Sequence, residues 1–183
     1  GDKLLGGPQC GFIVGRRDLV QACQKNPIKR AVRLDKVRLA ALEATLKLYR
    51  DPARLAQRLP TLRHLTRTAS DIAATCTRLA PALATAVGTG FKIAVRATAS
   101  QVGSGALPVE TIPSAALACE PVAAKEQGRA LDALSEALRA LPIPVIGRIE
   151  KGALLLDLRC LEDEPAFVAQ LAALTLRTGE AAP

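Results

Sequence analysis

The sequence predicts an α+β fold for most of the chain, and two kinds of pattern carry this prediction. Between residues 61 and 83, apolar residues recur at alternating steps of three and four, as in a long amphipathic helix. Residues 91–97 instead alternate apolar and polar side chains, as a half-buried strand does. A second strand is predicted at residues 114–119, and residues 145–158 indicate a hairpin that turns at Lys151-Gly152. Together these patterns favour a mostly antiparallel sheet with helices on one face.

The other elements are predicted from spacing and from end signals. Glycine and proline in the first eleven residues indicate strand, tight turn and strand, with the second strand at residues 9–15. Asn26-Pro27 stops a short helix, Asp51-Pro52 starts another, and Gly88-Thr89-Gly90 ends the long helix. A glycine- and serine-rich turn is predicted at residues 100–105. The predicted helices outside the long one cover residues 16–25, 34–49, 51–59, 125–141 and 165–176.

Composition limits the class of protein. The 183 residues include no methionine, so we expect a piece of a longer protein, its C-terminal part. Hydrophobic residues make up 49% and aromatics only 2%, which predicts a core of alanine, leucine and valine. The chain lacks an apolar run long enough for a transmembrane helix.

The cysteines, the histidine and the net charge limit the kinds of metal site, disulfide and binding partner that the chain can have. The five cysteines are scattered without zinc-finger or redox spacing, which argues against a cysteine zinc site and a disulfide framework. His64 is the only histidine, which argues against a histidine-rich metal site. The net charge of +8 suits a protein that meets polyanions. The same charge also fits basic residues that only solubilise the surface, and both interpretations stay open.

Two groups of residues are candidates for chemistry. Lys3 precedes a Gly-Gly-Pro turn, and a lysine on a rigid turn can act as a reactive amine, although a solvated surface lysine fits the same pattern. Arg30 and Arg33 stand three residues apart in a basic segment with Lys29 and Lys36. If this segment is helical, the two guanidinium groups share a face and can clamp an oxyanion. A solvated basic face is the alternative.

The order of motifs resembles a known family. The opening run Gly1-Asp2-Lys3-Leu4-Leu5-Gly6-Gly7-Pro8-Gln9 and the block Pro142-Ile143-Pro144-Val145-Ile146-Gly147-Arg148 are its most specific parts. With the basic segment at residues 27–36 and the run Leu156-Asp157-Leu158-Arg159-Cys160-Leu161, they resemble bacterial selenocysteine synthase, the L-seryl-tRNA(Sec) selenium transferase family. The resemblance covers nearly the whole chain.

The resemblance implies a fold-type-I pyridoxal-phosphate enzyme. The chain is then an α+β C-terminal domain attached to the end of an α/β large domain. Residues 1–33 are expected to end the large domain, with the cofactor-lysine hairpin. Residues 34–60 are expected to be linking helices, and residues 61–183 the small domain.

The resemblance also implies roles for four residues. Lys3 is expected to bind pyridoxal 5'-phosphate covalently and to move the α-proton of the substrate, and Asp2 to orient it or assist. In a regular strand, however, alternation puts Asp2 and Lys3 on opposite sides. Arg30 and Arg33 are expected to hold the selenium donor, selenophosphate. The implied reaction converts L-seryl-tRNA(Sec) to selenocysteinyl-tRNA(Sec) through an aminoacrylyl intermediate.

The implied setting is a cytoplasmic homo-oligomer whose partners are seryl-tRNA(Sec) and selenophosphate, with no membrane and no DNA. Two other functions stay open. One is a fold-type-I lyase or desulfurase that acts on a free amino acid. The other is a non-catalytic fragment that binds RNA or a partner subunit and is inactive alone.

Overall fold

The computed structural model describes residues 1–3, 5–101 and 111–176, which divide into two compact units. The first unit consists of residues up to Thr66, and the second begins at Arg67 and includes the sheet. Most of the predicted turn at residues 100–105, from residue 102 on, and the tail after residue 176 lie outside the described residues. The predicted domain boundaries at residues 33 and 60 stay predictions.

The described residues of the first unit contain helices and no strand, and the helices begin at Arg17. Its helices are α1 (Arg17–Lys25), a short 3-10 helix (Pro27–Arg30), α2 (Lys36–Leu48), α3 (Pro52–Arg58) and α4 (Pro60–Thr66). Asp35 caps α2, because its carboxylate accepts a hydrogen bond from the Arg38 amide at 2.9 Å. Prolines stand at the first positions of α3 and α4, where a missing N–H costs no helical hydrogen bond.

The predicted strands of the opening residues are wrong. The described residues up to Arg16, including the segment 9–15, contain no strand. Phe12, Ile13 and Val14 do run without helix or turn, but their side chains are 48%, 69% and 82% exposed. A strand exists only where a neighbouring strand pairs with its backbone, and none of the described residues pairs with this segment.

The second unit is the predicted α+β arrangement. Along the chain it contains α5 (Ala69–Val87), β1 (Phe91–Ser100), β2 (Ile112–Pro121), α6 (Gln127–Arg139), β3 (Arg148–Glu150), β4 (Ala153–Asp157) and α7 (Glu164–Gln170). The strands form one antiparallel sheet in the order β1-β2-β4-β3. Lys151 and Gly152 both adopt positive φ, 49° and 74°, as the predicted two-residue turn between β3 and β4 requires.

The core of this unit lies between the helices and one face of the sheet. The α5 and α6 helices direct leucines inward at the predicted three-four spacing, among them Leu79, Leu83, Leu134 and Leu138. They pack with alternate residues of β2 and β4, which explains why residues 114–119 are buried although they do not alternate in polarity. The opposite face of the same strands forms a smaller buried cluster that consists of Ala116, Ala118, Ala153 and Leu155.

The long helix predicted from residue 61 to residue 87 is two helices. α4 ends at Thr66, and α5 begins at Ala69 after its own cap. The Thr68 hydroxyl accepts a hydrogen bond from the Asp71 amide at 3.1 Å, which satisfies a backbone donor in the first turn of α5. The apolar spacing continues across the break, and it therefore predicted one helix where there are two.

A polar cluster that the sequence did not predict closes one end of the sheet. The Asp157 carboxylate accepts hydrogen bonds from Ser100 Oγ at 2.6 Å and Ser114 Oγ at 2.7 Å. The Arg159 guanidinium, buried at 4% exposure, donates to Ser100 Oγ and to the carbonyl oxygens of residues 67 and 113. In return, the Arg67 side chain donates to the carbonyl oxygens of residues 158, 159 and 161. These bonds satisfy a buried charge with protein partners.

Candidate active site

The backbone around Lys3 is closed into a loop. The Gly7 amide donates a hydrogen bond to the Gly1 carbonyl oxygen at 3.0 Å, so the chain returns on itself around Lys3. Gly6 has a φ of +65°, a left-handed conformation that side chains rarely tolerate. The sequence therefore predicted the tight turn correctly, although the strands on either side of it are absent from the described residues.

The residues after Lys3 are packed against helices of the same unit. A Cβ added to Gly6 would lie 2.8 Å from Thr61 Oγ1, and one added to Gly7 would lie 3.1 Å from Thr45 Oγ1. The Tyr49 hydroxyl, just after α2, donates a hydrogen bond to the Leu5 carbonyl oxygen at 3.1 Å. Sequence reasoning missed all three partners, because each is distant along the chain from the loop that it contacts.

Asp2 and Lys3 contact each other directly. Lys3 Nζ lies 3.2 Å from Asp2 Oδ2, with side chains 60% and 33% exposed, respectively. The hydrogen bond from Lys3 lowers the pKa of the Asp2 carboxyl below its ordinary value. The expected separation of the two side chains by strand alternation is wrong, because residues 1–3 are not in a strand. A primary amine with a carboxylate beside it is an arrangement that can take part in proton transfer.

Arg30 and Arg33 are not on one helical face. Arg30 is the last residue of the 3-10 helix, and Arg33 lies in the non-helical segment before α2. The two guanidinium groups were expected to share a face only if this segment were helical, and it is not helical at Arg33. Both side chains are exposed, and among the described residues neither makes a hydrogen bond or an ion pair. The carboxylate of Asp35, two residues after Arg33, pairs with Arg38 instead.

In its described residues, the structure shows no polar contact between the two candidate groups. Within the described ranges, no hydrogen bond or ion pair joins either arginine to Asp2 or Lys3. The same ranges contain no group of three or more His, Cys, Asp or Glu residues that could hold a metal ion. They also contain no helix long and apolar enough to cross a membrane.

Comparison with known proteins identifies the family. The sequence model of the family described as "SelA: L-seryl-tRNA selenium transferase" matches residues 1–162. The chain belongs to this family. The match begins at the loop that carries Lys3 and continues through the sheet, so the resemblance to selenocysteine synthases is confirmed over both units.

Curated members of the SelA family show how much of the protein this chain represents. It is 60% identical to the L-seryl-tRNA(Sec) selenium transferase of Methylocella silvestris over 174 residues, which cover 95% of this chain and 36% of that protein. Identity is 54% to the enzyme of the same name from Rhizobium meliloti and 56% to that from Klebsiella pneumoniae, each over 93% of this chain and 36% of the relative. The chain thus spans about 36% of the length of these relatives.

Lys3 fits the cofactor that the SelA family uses. The family depends on pyridoxal phosphate, and the protein group that this aldehyde requires is a lysine amine on a well-anchored segment. Lys3 offers an accessible amine, and the residues after it are held by Tyr49, Thr45 and Thr61. The groups that would hold the phosphate and the ring nitrogen are not identified among the described residues.

Proposed function

We propose that this chain is the C-terminal part of an enzyme that converts L-seryl-tRNA(Sec) to selenocysteinyl-tRNA(Sec) with selenophosphate as the selenium donor. The observation that carries the proposal is the family match over residues 1–162, which includes the loop around Lys3. The matched relatives are named for this activity, and the identity of 54–60% extends over nearly the whole of this chain.

In this proposal Lys3 binds pyridoxal phosphate and also moves a proton. When bound, the cofactor withdraws electrons from the α-carbon of the amino acid, so that the α-proton and the β-hydroxyl can leave. The free Lys3 amine takes the α-proton of the seryl group. Asp2 lies 3.2 Å from this amine and stabilises the ammonium form that results. Its lowered pKa keeps the Asp2 carboxyl ionised for this role.

Arg30 and Arg33 bind the anionic selenium donor in this proposal. The chemistry of the two side chains supports this role. Both are exposed guanidinium groups without an ion-pair partner in the described part of the chain. Lys29 and Lys36 raise the positive potential around them. Arginine matches the oxygens of a phosphate-like group with two parallel hydrogen bonds. Because no helix aligns the pair, each arginine acts as a separate contact, and a neighbouring subunit is one place where the donor can meet them.

The distribution of charge supports a tRNA substrate. Residues 1–66 contain 14 Lys and Arg against 5 Asp and Glu, a formal charge of +9, so the rest of the chain contributes −1 to the total of +8. An excess of positive charge in the unit that carries Lys3 would attract the phosphate backbone of RNA, and this attraction requires no particular base sequence. We extend the proposal to a cytoplasmic homo-oligomer, the setting implied by the family.

The proposal is tested by turnover of the full-length protein. Wild type, Lys3→Ala and Lys125→Ala are each given seryl-tRNA(Sec) with selenophosphate, and separately free serine or cysteine. Lys125 is a matched control, since it is an exposed lysine of the second unit without an ion pair among the described residues. We expect selenocysteinyl-tRNA(Sec) from wild type and Lys125→Ala and none from Lys3→Ala.

Other results would favour the alternatives. Release of keto acid from free serine or cysteine, without a product on tRNA, would identify a lyase or desulfurase. A protein that binds tRNA but turns over none of these substrates would be a non-catalytic binding module. Equal activity of Lys3→Ala and wild type would remove Lys3 from the mechanism.

A further inference from the structure

The single tyrosine of the chain reaches the loop that carries Lys3. Tyr49 is the residue after α2, and its hydroxyl donates a hydrogen bond to the Leu5 carbonyl oxygen over 3.1 Å. The two residues are 44 positions apart in the sequence. Tyr49 is only half-buried, so its hydroxyl does not need this partner to avoid an unsatisfied buried group. The main effect of the bond is therefore to fix the position of the loop, since the Tyr49 hydroxyl could also hydrogen-bond to water.

The same loop is confined at its next two residues. Gly6 leaves no room for a side chain beside Thr61, and Gly7 leaves little beside Thr45. The Thr45 hydroxyl is itself occupied, since it donates to the Ala41 carbonyl oxygen at 2.9 Å. Thr45 and Thr61 therefore confine the glycines by contact, and Tyr49 supplies the directional hydrogen bond. Together they hold the backbone from Leu5 to Gly7.

The side chain of Lys3 has much weaker support of its own. It is 60% exposed, and in the described part of the chain its contact is the ion pair with Asp2, which is itself a neighbour in the sequence. An exposed ion pair between adjacent residues does not fix a long side chain in one place. The direction in which the Lys3 amine is presented therefore depends on the backbone that follows it.

We propose that Tyr49 is a positioning residue for Lys3: its hydrogen bond to the Leu5 carbonyl oxygen holds the loop in the geometry that presents the Lys3 amine to the cofactor. This inference rests on the proposed function, because it concerns the same lysine. Tyr49 acts through Leu5 and touches neither substrate nor cofactor in this account. Its loss should loosen the attachment of the cofactor and slow the proton transfer, while binding of tRNA is unchanged.

The test uses the full-length holoenzyme and the variant Tyr49→Phe, which keeps the ring and removes only the hydroxyl. The matched control is Thr77→Val, which removes a hydroxyl that donates to the Ala73 carbonyl oxygen at 2.9 Å in the second unit. The readouts are the rate of cofactor dissociation, the circular dichroism of the cofactor's visible band, and kcat and KM for seryl-tRNA(Sec). A role in stability alone would change the melting temperature without changing the visible dichroism of the protein that remains folded.

For Tyr49→Phe we expect cofactor dissociation about fivefold faster, the effect of losing one ordinary hydrogen bond. We also expect an altered visible dichroism and a lower kcat at unchanged KM, and wild-type values for Thr77→Val. Wild-type dissociation and dichroism in Tyr49→Phe would overturn the inference while leaving the proposed function intact. A wild-type protein that acquires no visible cofactor band would overturn the proposed function, and this inference with it.

Discussion

At the level of single residues, the proposed mechanism depends on an exposed lysine with one carboxylate beside it. The ion pair between Asp2 and Lys3 lies in solvent on both sides, so it contributes little to stability. In the proposed mechanism its role is chemical, because the Asp2 carboxylate stabilises the ammonium form of Lys3 after proton transfer. The lowered pKa of Asp2 means that acid must protonate this carboxyl below its ordinary range before the pair is lost.

A first prediction concerns Arg30 and Arg33. Replacing either arginine by alanine should raise the KM for selenophosphate roughly tenfold or more, since a charge-assisted contact to a desolvated anion is worth about 1.5–3 kcal/mol. Lysine at either position should restore only part of the affinity, because it keeps the charge and loses the paired hydrogen bonds. Arg139→Ala, which removes an exposed arginine of the second unit, serves as the control. Steady-state kinetics with varied selenophosphate gives the answer.

Low salt gives the sharpest version of this experiment, because surface charge effects are largest there. If both alanine variants kept the donor dependence of wild type at low salt, the arginines would be no more than a solvated basic surface. Attachment of the cofactor to Lys3 should be unaffected in either case, since it precedes use of the donor.

A second prediction concerns the cysteines. Burial raises the pKa of the Cys119 thiol to about 12 and that of Cys76 to about 11, so at pH 8 almost none of either is thiolate. Cys23 is exposed on α1. In this chain a thiol reagent should label Cys23 rapidly at pH 8 and label Cys76 and Cys119 only after unfolding, as peptide mapping by mass spectrometry can measure. Labelling of Cys119 in the folded protein at the rate of Cys23 would contradict the described core.

At the scale of elements, the start of α5 shows what periodicity can and cannot predict. The three-four spacing correctly placed the residues that α5 buries, including Ile72, Cys76 and Leu79. The same spacing continues without interruption past Arg67, although Arg67 lies between the end of α4 and the start of α5. The signal that marks the break was present in the sequence: a threonine with an acidic residue three positions later, Thr68 and Asp71, forms a helix cap.

The cap gives a third prediction. Thr68→Ala should lower the free energy of unfolding of the second unit by about 1 kcal/mol, because it leaves the Asp71 amide without its acceptor. Thr77→Ala is the matched control within the same helix: its hydroxyl bonds the Ala73 carbonyl oxygen, but alanine is the better helix former there. Urea unfolding followed by circular dichroism compares the two. A loss for Thr77→Ala as large as that for Thr68→Ala would contradict the assignment of Thr68 as the cap.

The sheet was predictable because its signals are local. Alternation placed β1, and the Lys151-Gly152 turn placed the hairpin of β3 and β4. The polar cluster around Asp157 could not be predicted in the same way, since its serine partners lie 57 and 43 residues away in the chain. The prediction of strands in the opening residues was wrong for a related reason. An apolar run forms a strand only if another strand is present to pair with it, and local sequence does not show whether that partner exists.

At the scale of the whole molecule, the two units differ in charge and in what they contribute to the account. The first unit carries Lys3, both candidate arginines and a formal charge of +9 over residues 1–66. The second carries the sheet and its core, with a formal charge close to neutral. The candidate site residues and the excess of positive charge thus belong to the first unit, and the second contributes the sheet and its packed core.

The family resemblance predicted from sequence what geometry alone does not give. Lys3 is chemically an exposed lysine in a tight turn, and local patterns did not separate it from any other surface lysine. The ordered motifs at residues 1–9 and 142–161 singled out Lys3 by indicating the family. The family match over residues 1–162 confirmed that resemblance. The anchoring by Tyr49, Thr45 and Thr61 came only from the structure, because it depends on contacts between distant parts of the chain.

The proposed attachment of the cofactor to Lys3 is tested by locating the cofactor on the protein. The full-length protein is incubated with pyridoxal phosphate, reduced with borohydride to fix the cofactor on the lysine that holds it, digested and analysed by mass spectrometry. We expect the added mass on Lys3 in wild type and its absence, with loss of the visible band, in Lys3→Ala. Cofactor fixed instead on another lysine, such as Lys29 or Lys36, with Lys3 unmodified, would contradict it.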